Sequence, residues 1–321
     1  MKRGAAVLAF LATAALAAAS ARGRSDRIRL LPQLHTGQSF DYLVSFQSDR
    51  DIKTQSNVIV PNLPDADRAT VLGTLHVEVL ARENTGFRLR TDLKPLSPVS
   101  GKARVETSPS SSTASPVEFT LDGGGSASQI TGLDALPASQ QAAWRDWLAR
   151  FAASMTYPKG GMKISDTWES EEREAAPSPI AGLVWRKKSQ YVRDEPCPVA
   201  RRTPQGDLTE AVRTAETCAV ILTTATLKQK SSAKDATPED YKLNHLRTKG
   251  TATGKNETIL YISRATGLLM RSSESAAQSM SVTISLASGG NQVRYDVNAR
   301  SHARILFLQS AFLQSAPIPR R

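Results

Sequence analysis

Residue types able to do covalent or metal chemistry are spread along this chain, and their spacing decides what each group can do. Ser231 and Lys234, in "SSAK", fit S-x-x-K, which would hold an amine one turn from a hydroxyl. The match lies in a polar loop with no S-D-N or K-T-G after it, so it implies no nucleophile. No G-x-S-x-G occurs, and no serine is set on the strained elbow of a hydrolase. His35, His76, His245 and His302 are far apart, with no pair at metal-binding spacing. "GTATGK", Gly250 to Lys255, is one residue short of a phosphate loop, carries Asn256 where Ser or Thr would hold magnesium, and leads into a strand. Glu169, Glu171, Glu172 and Glu174 make a contiguous acidic run, which reads as a solvated turn rather than two carboxylates facing across a cleft. No catalytic residue, metal site or cofactor is therefore expected.

Cys197 and Cys218 are the only cysteines. They are neither a C-x-x-C redox pair nor enough ligands for a structural metal. In an oxidising compartment an even count predicts a disulfide staple.

That compartment is read from the start of the chain. Lys2 and Arg3 precede a short apolar run from Ala5 to Ala18, and Ala19-Ser20-Ala21 offers a small-residue cleavage site. This is the pattern of a secretory signal peptide over 1–21, too short and alanine-rich for a membrane span. No later segment has the apolar length to cross a bilayer as a helix. The expected mature chain is soluble and exported, to the periplasm or beyond. Loss of Lys2 and Arg3 takes the formal net charge from +11 to +9. The excess is scattered, and aromatics are not interleaved with the basic residues, so nucleic acid is not an expected partner. A diffuse positive field suits anionic envelope components better.

The positioning elements follow from periodicity. Phe40, Tyr42, Val44 and Phe46 alternate with Asp41, Leu43 and Ser45, a strand with one buried face. Leu75, Val77 and Val79 lead through Glu83 to Gly86 into Phe87 and Leu89, a hairpin. "VEFTLDGGGSASQIT" reads as two short strands about a glycine turn. "IAGLVWRKKSQYVRD" and "CAVILTTATLKQ" are strands, and "ETILYISRATGLLMRSSES" is a hairpin turning at Arg264 to Gly267. "MSVTISL" and "NQVRYDVNARSHARILF" follow, joined at Ser288 to Asn291, while Pro238 opens a turn of helix.

Trp144, Trp147, Leu148, Phe151 and Met155 share one face of an amphipathic helix over 139–155, between a proline and Tyr157-Pro158. The expected fold is α+β, predominantly antiparallel β, with this helix closing the hollow of a curved sheet. Its apolar residues plug the core, and Trp144, Trp147, Phe151 and Met155 are the candidates to line a ligand cavity. The predicted organisation is one β-rich domain over 22–312 with a loose tail at 313–321. A weak likeness between "GQSFDYLVSFQSD" and "GGMKISDTWESEE" divides it into halves, 27–135 and 158–312.

"YPKGGMKISDTW" resembles the P-x-x-P-V-x-V-G-D-x-W strand entry of uncharacterised exported β-rich bacterial proteins. "LYISRATGLLMRSS" is similar to the F-D-x-x-T-G-L-L hairpin near their carboxyl ends. The resemblance covers the second half of the chain and implies a curved antiparallel sheet on a helix, in outline like periplasmic lipoprotein carriers. Ser165 stands where that pattern has glycine, which sets the turn before Asp166 apart. The resemblance implies no activity.

Three functions fit these residues. The first is a non-enzymatic envelope module that binds an apolar or lipid-like molecule or assists assembly. The second is a hydrolase whose site converges from distant loops, and the third a partner module that pairs through exposed strand edges.

Overall fold

The computed structural model of the chain describes residues 27–30, 32–57, 66–84, 86–95, 116–122, 127–134, 141, 144, 148, 157–158, 160–174, 178–202 and 208–309. The predicted signal peptide over 1–21, the predicted tail at 313–321 and the side chains of Trp147, Phe151 and Met155 lie outside them.

Eleven strands build one sheet among the described residues. They are β1 (Ser39–Ser56), β2 (Ala66–Arg82), β3 (Gly86–Pro95), β4 (Val117–Asp122), β5 (Ala127–Thr131), β6 (Thr167–Arg173), β7 (Leu183–Arg202), β8 (Leu208–Gln229), β9 (Leu246–Ser263), β10 (Leu269–Leu286) and β11 (Gln292–Gln309). Neighbours in the chain pair antiparallel. β1 also pairs with β11, which joins the wing β5-β4-β3-β2-β1 to the wing β11-β10-β9-β8-β7-β6. The architecture is thus predominantly antiparallel β.

Most of segment 139–155, the expected covering helix of an α+β fold, lies outside the described residues. The one helix with described bounds, α1 (Glu239–Leu243), has five residues and follows Pro238. Of segment 139–155, Gln141, Trp144 and Leu148 are described and helical. Leu148 is 2% exposed, and Trp144 packs half-buried against the main core.

Strand length departs most from expectation. β1, β9, β10 and β11 each run 18 residues, about 60 Å at roughly 3.4 Å per residue, against a usual strand of about 3–10 residues. "MRSSESAAQS" and "MSVTISL" are accordingly one strand, β10. Its two antiparallel neighbours hold its backbone along almost its full length.

Alternation gives the sheet a core face and an open face. Phe40, Tyr42, Leu75, Val77, Val79, Leu89, Phe119, Ile221, Leu260 and Ile262 meet on the core face with Leu30, Leu148 and Met162. Phe40 and Phe307 flank Tyr42 edge-on, at ring-centroid distances of 5.6 and 5.8 Å. A second core sits toward the far end of the long strands, around Leu183, Leu227, Ala252 and Val282. There the Trp185 indole lies so close to Gly254 that a Cβ would stand 2.9 Å from the ring. The indole Nε1–H donates to Glu174 at 2.8 Å. Between the two cores the same face is polar: the Asn256 amide donates to buried Glu274 at 2.7 Å, and the Ser189 and Thr223 hydroxyls meet at 2.8 Å.

β7 and β8 run past the end of the β9–β10 hairpin and bend across it, so that Ala200 and Arg201 pair parallel with Leu308 and Gln309 of β11. Three register shifts, at Tyr191/Arg193, Pro196/Pro198 and Val199/Arg201, supply the bend. The Cys197–Cys218 disulfide forms at its base, where β8 leaves β9 at the Cys218–Ser263 pair. The overhang closes a circuit of pairings through β7, β8, β9, β10 and β11. On the open face Ala200, Leu43, Leu306 and Leu308 form a small third cluster.

Candidate binding groove

Below that cluster the open face changes character. One row runs Leu72, Ser45, Arg304, Ser273, Ile259 across β2, β1, β11, β10 and β9. The next runs Thr70, Gln47, His302, Ser275, Glu257. Together they line a groove of about 420 Å³, to which Phe46, Ala303 and Glu274 also contribute. That volume falls within the range of roughly 300–1,000 Å³ typical of small-molecule sites. Short side chains at the centre open the space: serines stand at 45, 273 and 275, where longer residues would fill it. Leu72, 40% exposed, and half-buried Ile259 give it apolar flanks. Arg304, half-buried between Ser45 and Ser273, brings a guanidinium to the central row.

The row above is a lid of stacked cations. Tyr261 on β9 lies between Arg213 of the overhang and Arg271 of β10, each guanidinium carbon 5.7 Å from the ring centroid. Arg213 is held from the other side by Glu195, which also accepts from Arg193. The Arg193 hydrogen bond is the main cause that holds the Glu195 carboxyl below the usual carboxylate range, with Arg213 adding to it. Tyr191 donates to Asp194 at 2.5 Å, and burial first, then this carboxylate, pushes its phenol up.

The groove tests the nucleophile reading directly. His302, Ser275 and Glu257 occupy one row, yet the serine stands between the histidine and the acid. A triad needs the imidazole in the middle, bonded to both. Among the described residues none of these three side chains bonds another. The His–carboxylate pair that does form is His76 Nδ1 with Asp41 Oδ1, 2.7 Å apart, far up β2 and outside the groove. No group of three metal-ligating side chains comes together among the described residues.

The other sequence candidates sort as follows. Trp144 packs on the core and takes no part in the groove. Cys197 and Cys218 are bonded. The acidic run of Glu169, Glu171 and Glu172 is strand β6, not a turn, because β7 sets Arg186 and Lys187 against it. Arg186 meets Glu171 at 2.9 Å, and Lys187 pairs with Glu172. "SSAK" is a loop and "GTATGK" lies within β9. The groove residues escaped motif reading because they come from five strands. Their one legible trace is the alternation of small residues along β10, Ser273, Ser275, Ala277, Ser279, Ser281.

No family model matches this chain. No curated protein is found similar to it. Among solved structures it is similar to the outer membrane protein OprG from Pseudomonas aeruginosa at 11% identity, covering 86% of this chain and 98% of that one, with a TM-score of 0.17. It is also similar to the CymD monoaromatic hydrocarbon channel at 10% identity, covering 85% and 89%, with a TM-score of 0.13. At those scores neither likeness bears on what this chain does.

Proposed function

We propose that the chain is an exported envelope protein with a non-enzymatic role, and that its open-face groove binds an amphiphile with an anionic head. The observation that carries this reading is the groove itself. An arginine in its central row and leucine and isoleucine on its flanks match a charged head joined to an apolar chain. Export is supported by the leader at 1–21 and by a disulfide of the kind that persists in oxidising compartments. Strand-edge pairing is less favoured, because the described edge strands β5 and β6 have five and seven residues and β6 is densely charged.

Titration with dodecanoate by calorimetry tests the proposal, with dodecyltrimethylammonium and acetate as controls for charge and for chain. Dodecanoate should bind more tightly than either control, and Arg304→Gln and Leu72→Glu should each weaken it at least tenfold. Equal affinity for the cationic amphiphile, or affinity untouched by both substitutions, would overturn the proposal.

A further inference from the structure

Beyond the groove the open face continues as a trough along β10, and its side chains follow a pattern that the small-molecule reading does not use. The outward residues of β10 are Ala277, Ser279, Ser281, Thr283 and Ser285, none longer than threonine. The strands on either side raise its walls. Ala277 lies between Arg300 of β11 and Lys255 of β9, and Thr283 between Arg294 and Lys249. Two cationic rows thus face each other across a hydroxyl floor. They are six residues apart, about 20 Å at roughly 3.4 Å per residue.

Lys249, Lys255 and Arg300 are exposed and make no ion pair among the described residues. Between the rows the walls are short and polar. Asn298 accepts from Ser279 at 2.8 Å, and Asp296 is occupied by Arg294 at 3.1 Å. Uncompensated cations on a flat sheet face cost stability by mutual repulsion and are favourable only toward an anionic partner. Two rows set about 20 Å apart along one strand suit an extended partner rather than a compact one.

We infer that this trough holds a linear acidic polysaccharide, with carboxylates at the two cationic rows and sugar hydroxyls on the serine floor. The chemistry of the walls selects among polyanions. Nucleic acid binding without sequence preference needs aromatic platforms for the bases, and the described open-face positions of β9, β10 and β11 along the trough carry none. A bilayer surface would call for apolar residues to insert, and the trough floor is hydroxyl-lined. Guanidinium and ammonium groups beside hydroxyls match a carboxylated sugar chain. This inference does not rest on the groove's taking an amphiphile.

The test uses polygalacturonate, with neutral dextran of matched length, a twenty-residue oligothymidylate and phosphatidylglycerol vesicles as comparators, all at low salt. Polygalacturonate should bind more tightly than each comparator, and its affinity should fall steeply as salt rises. The exposed triple variant Lys249→Ser/Lys255→Ser/Arg300→Ser should lose at least tenfold, while the Lys249→Arg/Lys255→Arg variant keeps the affinity. Unchanged dodecanoate binding and an unchanged melting curve in the triple variant would show that the groove and fold are intact. Equal binding of dextran, tighter binding of the oligonucleotide or vesicles, or full affinity in the triple variant would overturn the inference.

Discussion

Replacing Cys197 and Cys218 by alanine together removes the covalent tie at the base of the overhang, and the structure sets the size of the effect. The bond joins residues 21 apart in sequence. On the chain-entropy account, closing a loop of that length stabilises by about 3 kcal/mol, almost all through the unfolded state. For a domain of this size about 1 kcal/mol moves the midpoint by roughly 2–4 °C, so the melting temperature should fall by roughly 6–12 °C. The loss should also have an address. Beyond the disulfide β8 has no β9 partner, and the tip is held by its own pairing, by the short contact of Ala200 and Arg201 with β11, and by Val199 and Val212 against the core. Hydrogen exchange followed by mass spectrometry on the double variant should therefore show protection lost first in 196–213, with β9, β10 and β11 retaining theirs at the same time points. A midpoint within about 2 °C of the parent, with the tip equally protected, would refute the argument. Strand pairing and packing alone would then hold the overhang.

Two further predictions rest on individual residues. Ser165 adopts φ 76, a left-handed conformation that costs a side-chain-bearing residue roughly 1–2 kcal/mol, while its N–H donates to Tyr191 at 2.7 Å. Ser165→Gly should relieve that cost less the roughly 0.4–1 kcal/mol of added freedom in the unfolded chain, raising stability by a few tenths to about 1 kcal/mol in urea unfolding; a loss would contradict the assignment of strain. Burial pushes the phenols of Tyr42 and Tyr191 up, so both titrate higher in the folded chain than in the unfolded one, where tyrosine loses its proton near pH 10. Their contribution is complete below about pH 10 and is lost as pH rises above it, so the melting temperature should drop steeply there, and less so in Tyr191→Phe; an unchanged alkaline slope in that variant would count against the burial argument.

Much of this sheet is legible in the residues that build it. Phe40, Tyr42 and Val44 announce their buried face by alternation, and Gly267, at φ 70, marks the β9–β10 turn because few other residues accept that backbone. Pro238 precedes the short helix as expected. The cysteines, with no metal or redox spacing, leave a staple as their use. What stayed hidden depends on partners distant in sequence. Glu169, Glu171 and Glu172 look like a solvated turn until Arg186 and Lys187 are seen across the ladder. β10 looks like two strands because Ser, Ala and Gln in its middle carry little apolar signal. Its extension is set by β9 and β11 on either side. The turn before Asp166 forms without its glycine because Ser165 N–H and Asp166 C=O both bond the Tyr191 backbone, and the Asp166 carboxylate accepts from Lys163 N–H. The groove was least visible of all. Leu72, Ser45, Arg304, Ser273 and Ile259 are unremarkable in sequence and become neighbours only through the closure of β1 on β11.

Methyl-labelled nuclear magnetic resonance during titration with dodecanoate reads the groove without any substitution. The account predicts saturable shifts at Leu72 and Ile259, with the methyls of Leu183 and Leu227 in the second core unmoved. Shifts confined to either buried core, or no saturable shift at Leu72 and Ile259, would contradict it.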